Sequence, residues 1–126
     1  MSQDIVADAL NMMLNAKKAR KENVNIKRIS NILIEVLKIM KQKGAVKKYK
    51  IDSKGKSIEV TLGDFIECRA IKPRFTIKKS SLEKYERRYL PARNIGTIIV
   101  STNKGLMTNQ ESSENKTGGI LIAYFY

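Results

Sequence analysis

From Ile29 onward the apolar positions recur on a helical period. Ile29, Ile32, Leu33, Val36, Leu37 and Met40 form one stripe, while Asn31, Glu35, Lys38 and Lys41 fill the opposite face. That spacing predicts an amphipathic helix, with Gly44 as its stop. A first helix over residues 3–19 follows from Val6, Leu10, Met13 and Lys17 at the same spacing. Its acids Asp4 and Asp8 stand near the positive end of the helix dipole, and Lys17, Lys18 and Arg20 near the negative end. The V-N-I segment at 24–26 lies between the two helices and reads as a strand.

After Gly44 the period changes to two. Residues 57–62 put Ile58, Val60 and Leu62 on one side and Ser57, Glu59 and Thr61 on the other. Residues 45–51 alternate less regularly, and the D-S-K-G-K loop with Gly55 joins the two runs as a hairpin. Phe65–Ile71 predicts a strand in which Ile66, Cys68 and Ala70 share a face, and K-P-R-F-T-I-K-K (72–79) begins extended because Pro73 disfavours helix before it. Ser80-x-x-Glu83 has the pattern of a capping box opening a short helix through Leu82, Tyr85 and Tyr89, ended by Pro91. Ile95–Val100 predicts a buried strand, and Thr108-x-x-Glu111 a second box opening a helix to about Ser113. Gly118-Gly119 then releases the chain into I-L-I-A-Y-F-Y, a strand of β-formers. The fold class expected is α+β, with two small packed subdomains: α-β-α-β-β over 1–63, and a mostly β part with short helices over 64–126.

Charge changes the picture from fold to partner. Of 126 residues, 25 are Lys or Arg against 12 Asp or Glu, a net charge of +13. Lys17–Lys50 carries twelve of the basic residues and Arg69–Arg93 nine, 21 of the 25 together, yet apolar residues recur through both. Folded basic faces are expected, and such faces attract polyanions. No apolar run approaches the ~18–20 residues of a spanning helix. The start M-S-Q-D-I-V-A-D is unlike a secretory leader, so an intracellular protein is expected.

Catalytic vocabulary is sparse. The chain has no histidine, hence neither the commonest general base nor the commonest metal ligand. Its single cysteine, Cys68, lies in an apolar alternation and reads as a buried structural thiol. The phosphate-loop, dinucleotide and nucleophile-elbow motifs are absent. The carboxylate pairs Asp4/Asp8 and Glu83/Glu86 sit beside basic residues, where they read as solvated charge balance. No enzyme, cofactor or metal site is expected.

One stretch, S-T-N-K-G at 101–105, combines hydroxyls, an amide, a cation and a glycine. RNA recognition uses such groups toward 2′-OH, base edges and backbone, whereas lysines elsewhere add affinity without sequence information. Tyr85 and Tyr89 are open to either base stacking or packing of their helix.

S-T-N-K-G-L-M-T (101–108), the following Gly-Gly and the terminal A-Y-F-Y resemble the universal family of the eighth protein of the small ribosomal subunit. The start D-I-V-A-D-A-L-N-M-M-L-N also resembles this family, and I-K-P-R-F-T-I-K-K and R-Y-L-P-A-R are similar to its archaeal and eukaryotic branch. The resemblance covers the whole chain. It implies a structural protein that binds the central domain of small-subunit rRNA during assembly, ribosome-bound in the cytoplasm beside other small-subunit proteins. It further implies a monomer when free, with no membrane and no small-molecule substrate.

Carried onto this chain, the resemblance implies RNA contacts from Ser101, Thr102, Asn103, Lys104 and Gly105. Arg74, Lys78, Lys79, Tyr89 and Arg93 are expected nearby on the second subdomain, and a backbone contact around Lys27, Arg28 and Ser30 on the first. The chain departs from the family at Ile5 and Arg28, where prolines are usual, and at Asn103, usually Ser or Thr. It departs also at Lys78, a tyrosine in bacterial relatives, and at Ile120, usually polar. The alternative is a DNA- or mRNA-binding regulator, which would share the charge.

Overall fold

The computed structural model describes residues 5–71, 76–92 and 95–126, and it divides into two compact units, Met1–Cys68 and Arg69–Tyr126. Its helices and antiparallel sheets make an α+β fold.

In the first unit, helix α1 (Ile5–Lys18) buries Val6, Leu10 and Met13 along one stripe. Helix α2 (Asn31–Gln42) buries Leu33, Val36, Leu37, Ile39 and Met40. Each fully buried large side chain contributes about 1.5–3 kcal/mol relative to exposure. Strands β1 (Asn23–Ile26), β2 (Val46–Ile51) and β3 (Ile58–Leu62) form an antiparallel sheet in the order β1-β3-β2. The alternation in β3 comes out as read, with Ile58, Val60 and Leu62 inward. Helix α1 packs on β1 and α2, and α2 on β2.

The β2–β3 turn is organised by Asp52. Its Oδ1 accepts the N–H groups of Lys54 and Lys56, both at 3.0 Å, and its Oδ2 accepts the Ser57 hydroxyl at 3.2 Å. The Lys56 N–H is the main influence holding this carboxyl below its usual value, with Ser57, Lys54 and Gly55 adding to it. Gly55, at φ +68°, takes the left-handed conformation the turn requires.

The second unit is built on a sheet in which β4 (Cys68–Ala70), β8 (Gly119–Phe125), β6 (Thr97–Thr102) and β7 (Gly105–Thr108) follow one another, with β5 (Thr76–Ile77) also paired to β8. Helix α3 (Leu82–Tyr89) covers a core of Ile71, Ile77, Leu82, Leu90, Ile98, Val100 and Leu121. Short helix α4 (Asn109–Glu114) opens with the expected capping box. The Glu111 N–H donates to the Thr108 hydroxyl at 3.1 Å, and the Thr108 N–H donates to the Glu111 carboxylate at 3.3 Å.

Three local expectations are corrected. The strand at Phe65–Ile71 shrinks to Cys68–Ala70, and Ile66 is 78% exposed rather than sharing a face with buried Cys68. Ser80-x-x-Glu83 is no capping box: a 3₁₀ turn over Lys79–Ser81 leads into α3, and Ser81 caps it in helical conformation without a side-chain hydrogen bond. The turn supplies a tight entry instead, which the sequence pattern alone does not distinguish. The strand read at 95–100 begins at Thr97 and runs to Thr102, so that Ser101 and Thr102 are strand residues. Cys68 is buried as expected, its Sγ 3.4 Å from the Leu10 carbonyl oxygen.

Candidate nucleic-acid interface

Strands β6 and β7 form a tight hairpin whose register pairs Ser101 with Leu106 and Thr102 with Gly105. Asn103 and Lys104 are its two exposed tip residues. Among described residues only Arg20 and Lys116 combine positive φ with a side chain, so the tip residues turn with negative φ and Gly105, at φ +109°, takes up the reversal. A glycine at that position is the usual way such a turn meets the twist of its strands. Asn103 is therefore not held there by any need for a left-handed backbone.

Thr102 fastens the turn from inside. Its hydroxyl donates to the Gly105 carbonyl at 2.9 Å and accepts the Lys104 N–H at 3.1 Å. Its donor is thus used within the protein, while Asn103 and Lys104 project beyond it. No acid occurs between Glu86 and Glu111, so the tip sits in a stretch whose only charges are positive.

Strand β8 supports the hairpin at close range. Ser101 pairs with Ile120, and Ile120 in turn with Thr76, giving a cross-strand row Thr76–Ile120–Ser101–Leu106. Gly119 lies so near the Ser101 carbonyl that any Cβ would collide with its oxygen. Gly118 meets the Ile77 carbonyl in the same way, and a Cβ on it would stand 3.0 Å from the Lys78 Cα. Exposed Lys78 is thereby brought beside the Gly118-Gly119 end of β8. Ile120 is 39% exposed and puts an apolar side chain in the cross-strand row that reaches Ser101.

The remaining expected residues separate into groups. Lys79 opens the 3₁₀ turn. Tyr89 is half-buried against the core, its ring 5.2 Å from that of Tyr124, with the Arg88 guanidinium 5.5 Å above it. Tyr85 packs on the same core, so packing occupies part of both rings. Arg74 and Arg93 lie outside the described residues. In the first unit, Lys27 and Arg28 are exposed, and Arg28 reaches Asp8 at 3.5 Å. Ser30 is the N-cap of α2, its hydroxyl accepting the Leu33 N–H at 3.1 Å.

Sequence reasoning passed over two positioning residues. Asn109 is buried, accepts the Ile98 N–H at 3.1 Å and donates to Glu86 at 2.7 Å, tying β6 to α3. Gly119 is the other. The Gly-Gly pair was legible as a break, but its close approach to Ser101 needs the pairing of β6 with β8.

Among the described residues no three His, Cys, Asp or Glu side chains converge as a metal site, and no helix is long and apolar enough to cross a membrane. The arrangement offers hydrogen-bonding and cationic groups on a hydrogen-bonded hairpin backed by β8.

Comparison with known proteins matches residues 4–126 to the family of ribosomal protein S8. The chain is 47% identical to small ribosomal subunit protein uS8 of Nanoarchaeum equitans, over the full length of both. The corresponding uS8 proteins of Archaeoglobus fulgidus and Thermoplasma acidophilum are 38% and 36% identical, again over the full length of both chains. With the family pattern matched from residue 4 to the last tyrosine and archaeal relatives aligned end to end, the chain belongs to the ribosomal protein S8 family, in its archaeal-type branch.

Proposed function

We propose that the protein is a structural constituent of the small ribosomal subunit, which binds small-subunit rRNA and stabilises its central domain during assembly. It works on the ribosome in the cytoplasm, beside neighbouring small-subunit proteins, and as a scaffold rather than a catalyst. RNA reading is assigned to the part from residue 64 to 126, and residues 1–63 add a backbone contact through Lys27, Arg28 and Ser30. The observation that carries this reading is the β6–β7 tip. Asn103 and Lys104 are exposed on a turn whose own hydrogen bonds are closed by Thr102. A pre-ordered tip loses little entropy on binding, which favours recognition over diffuse attraction.

In this reading Asn103 donates and accepts toward 2′-OH groups or base edges, and Lys104 meets phosphate. Ser101 and the backbone of Gly105 complete the contact, with Lys78, Lys79, Arg74, Tyr89 and Arg93 flanking it. Binding of the purified protein to small-subunit rRNA, with footprinting of the protected region, tests it. Protection in the central domain, and a preference over random RNA that persists at high salt, are expected. Measured on the protected central-domain fragment alone, Asn103→Ala and Lys104→Ala should each weaken binding roughly fivefold to tenfold, a loss of about 1 kcal/mol or slightly more, and Lys48→Ala far less. Equal losses from all three, or a preference for DNA in competition, would show charge attraction or a regulator instead.

A further inference from the structure

The β1–β3–β2 sheet of the first unit turns Val24, Ile26, Ile58, Val60 and Tyr49 to one side, and a second, polar face to the other. Its register aligns Asn23, Thr61 and Lys48 in one cross-strand row, and Asn25, Glu59 and Lys50 in the next. All six are exposed except Thr61, which is half-buried and donates its hydroxyl to the Asn23 side-chain oxygen at 2.9 Å. That bond leaves the Asn23 amide donors directed elsewhere. Each row thus carries an amide at one edge and a lysine at the other, with the rows about 6.6 Å apart along the strands.

The surrounding charge has one sign. Between Glu35 and Asp52 the chain holds six lysines (38, 41, 43, 47, 48 and 50) and no acid. Lys48 and Lys50 make no ion pair with any described residue, although Glu59 faces Lys50 across the strands. Protection of an open sheet edge accounts for lysines on β2. It does not account for the amides and hydroxyl in register with them on β1 and on the central strand β3.

We propose that this face is a second RNA-binding surface, taking the phosphodiester backbone of a duplex segment other than the one held by the β6–β7 hairpin. The inference rests on the RNA-binding reading given above and adds a second contact, so that one protein molecule joins two RNA segments. Lysines 48 and 50 meet successive phosphates, and Asn23, Asn25 and Thr61 meet phosphate oxygens and 2′-OH groups. A duplex is the occupant because the face has no aromatic ring on which unpaired bases could stack. Glu59 holds the surface at moderate affinity, as suits a contact made after the first.

The test uses the full-length protein saturated with its small-subunit rRNA fragment, to which a labelled random-sequence duplex of about 16 base pairs is added. Wild type is expected to bind the duplex without releasing the fragment. K48E/K50E should weaken duplex binding roughly tenfold or more and flatten its salt dependence by about two ions, whereas E59K should strengthen it. Fragment binding should be nearly unchanged in both variants. N103A/K104A should do the reverse, losing fragment selectivity and keeping the duplex.

Displacement of the fragment by the duplex, or duplex binding unchanged in both K48E/K50E and E59K, overturns the second surface. Lack of any wild-type preference for the rRNA fragment overturns the hairpin reading alone, and duplex binding measured on the free protein then still decides this one.

Discussion

The Thr102 hydroxyl donates to the Gly105 carbonyl at 2.9 Å, so the last residue of one strand is bonded to the first residue of the next. Because the same oxygen also accepts the Lys104 N–H, Thr102 shapes the tip. Thr102→Val keeps the volume and removes the staple, a loss of about 1 kcal/mol of local order. Faster amide exchange at Lys104 and a roughly fivefold weaker rRNA complex are expected, with Thr102→Ser restoring both. Wild-type affinity in Thr102→Val would mean that the tip is ordered by other means.

Two glycines at the site should fail in different ways. Gly105 has open space around it but φ +109°, so Gly105→Ala meets only backbone strain, about 1–2 kcal/mol. Gly119→Ala drives a Cβ into the Ser101 carbonyl, and β8 must shift against β6. Thermal unfolding should rank wild type above Gly105→Ala and Gly105→Ala above Gly119→Ala. The reverse order would mean that the β6–β8 pairing is looser than described.

Ser30 has a capping role in the fold and a proposed role toward RNA, and the two can be separated. As N-cap of α2 it accepts the Leu33 N–H, and Ser30→Ala should cost about 1 kcal/mol of stability. Aspartate caps as well as serine but repels phosphate, so Ser30→Asp should unfold like wild type and bind rRNA more weakly. Unchanged affinity in Ser30→Asp would remove Ser30 from the RNA surface.

Asp52 gives the β2–β3 turn an acid limit. Its carboxyl titrates below the ordinary value because the Lys56 N–H, followed by other donors of the turn, favours the charged form. A depressed folded-state pKa means that its contribution is complete above the unfolded value near ~3.9 and is lost as pH falls through the folded value. NMR titration should show Asp52 protonating below a free aspartate, and Asp52→Asn should abolish the change in the Lys56 amide shift. A titration at or above the ordinary value would contradict the assignment.

The periodic parts of the fold were legible because their signal is local. The stripe of α1, the Leu33, Val36, Leu37 and Met40 part of the α2 stripe and the alternation of β3 each report one buried face, and the Thr108 box closes over four residues. The α2 stripe overreached at Ile29, which precedes the helix, and at Ile32, which is 39% exposed. Strand β7 was hidden because G-L-M-T is short and borrows its strand character from pairing with β6. Ile66 misled by continuing an alternation that the chain abandons before Cys68. At the site, the composition of 101–105 was readable, but the division of labour within it was not. Thr102 and Asn103 look interchangeable as small polar residues until the turn assigns one inward and the other outward.

Asn103 carries a further consequence. Nothing in the backbone of the tip demands an amide there, and its side chain is exposed. Substitutions at this position are therefore nearly silent for folding. In the reading proposed above, such a residue drifts in step with its RNA, changing recognition while the scaffold beneath stays constant.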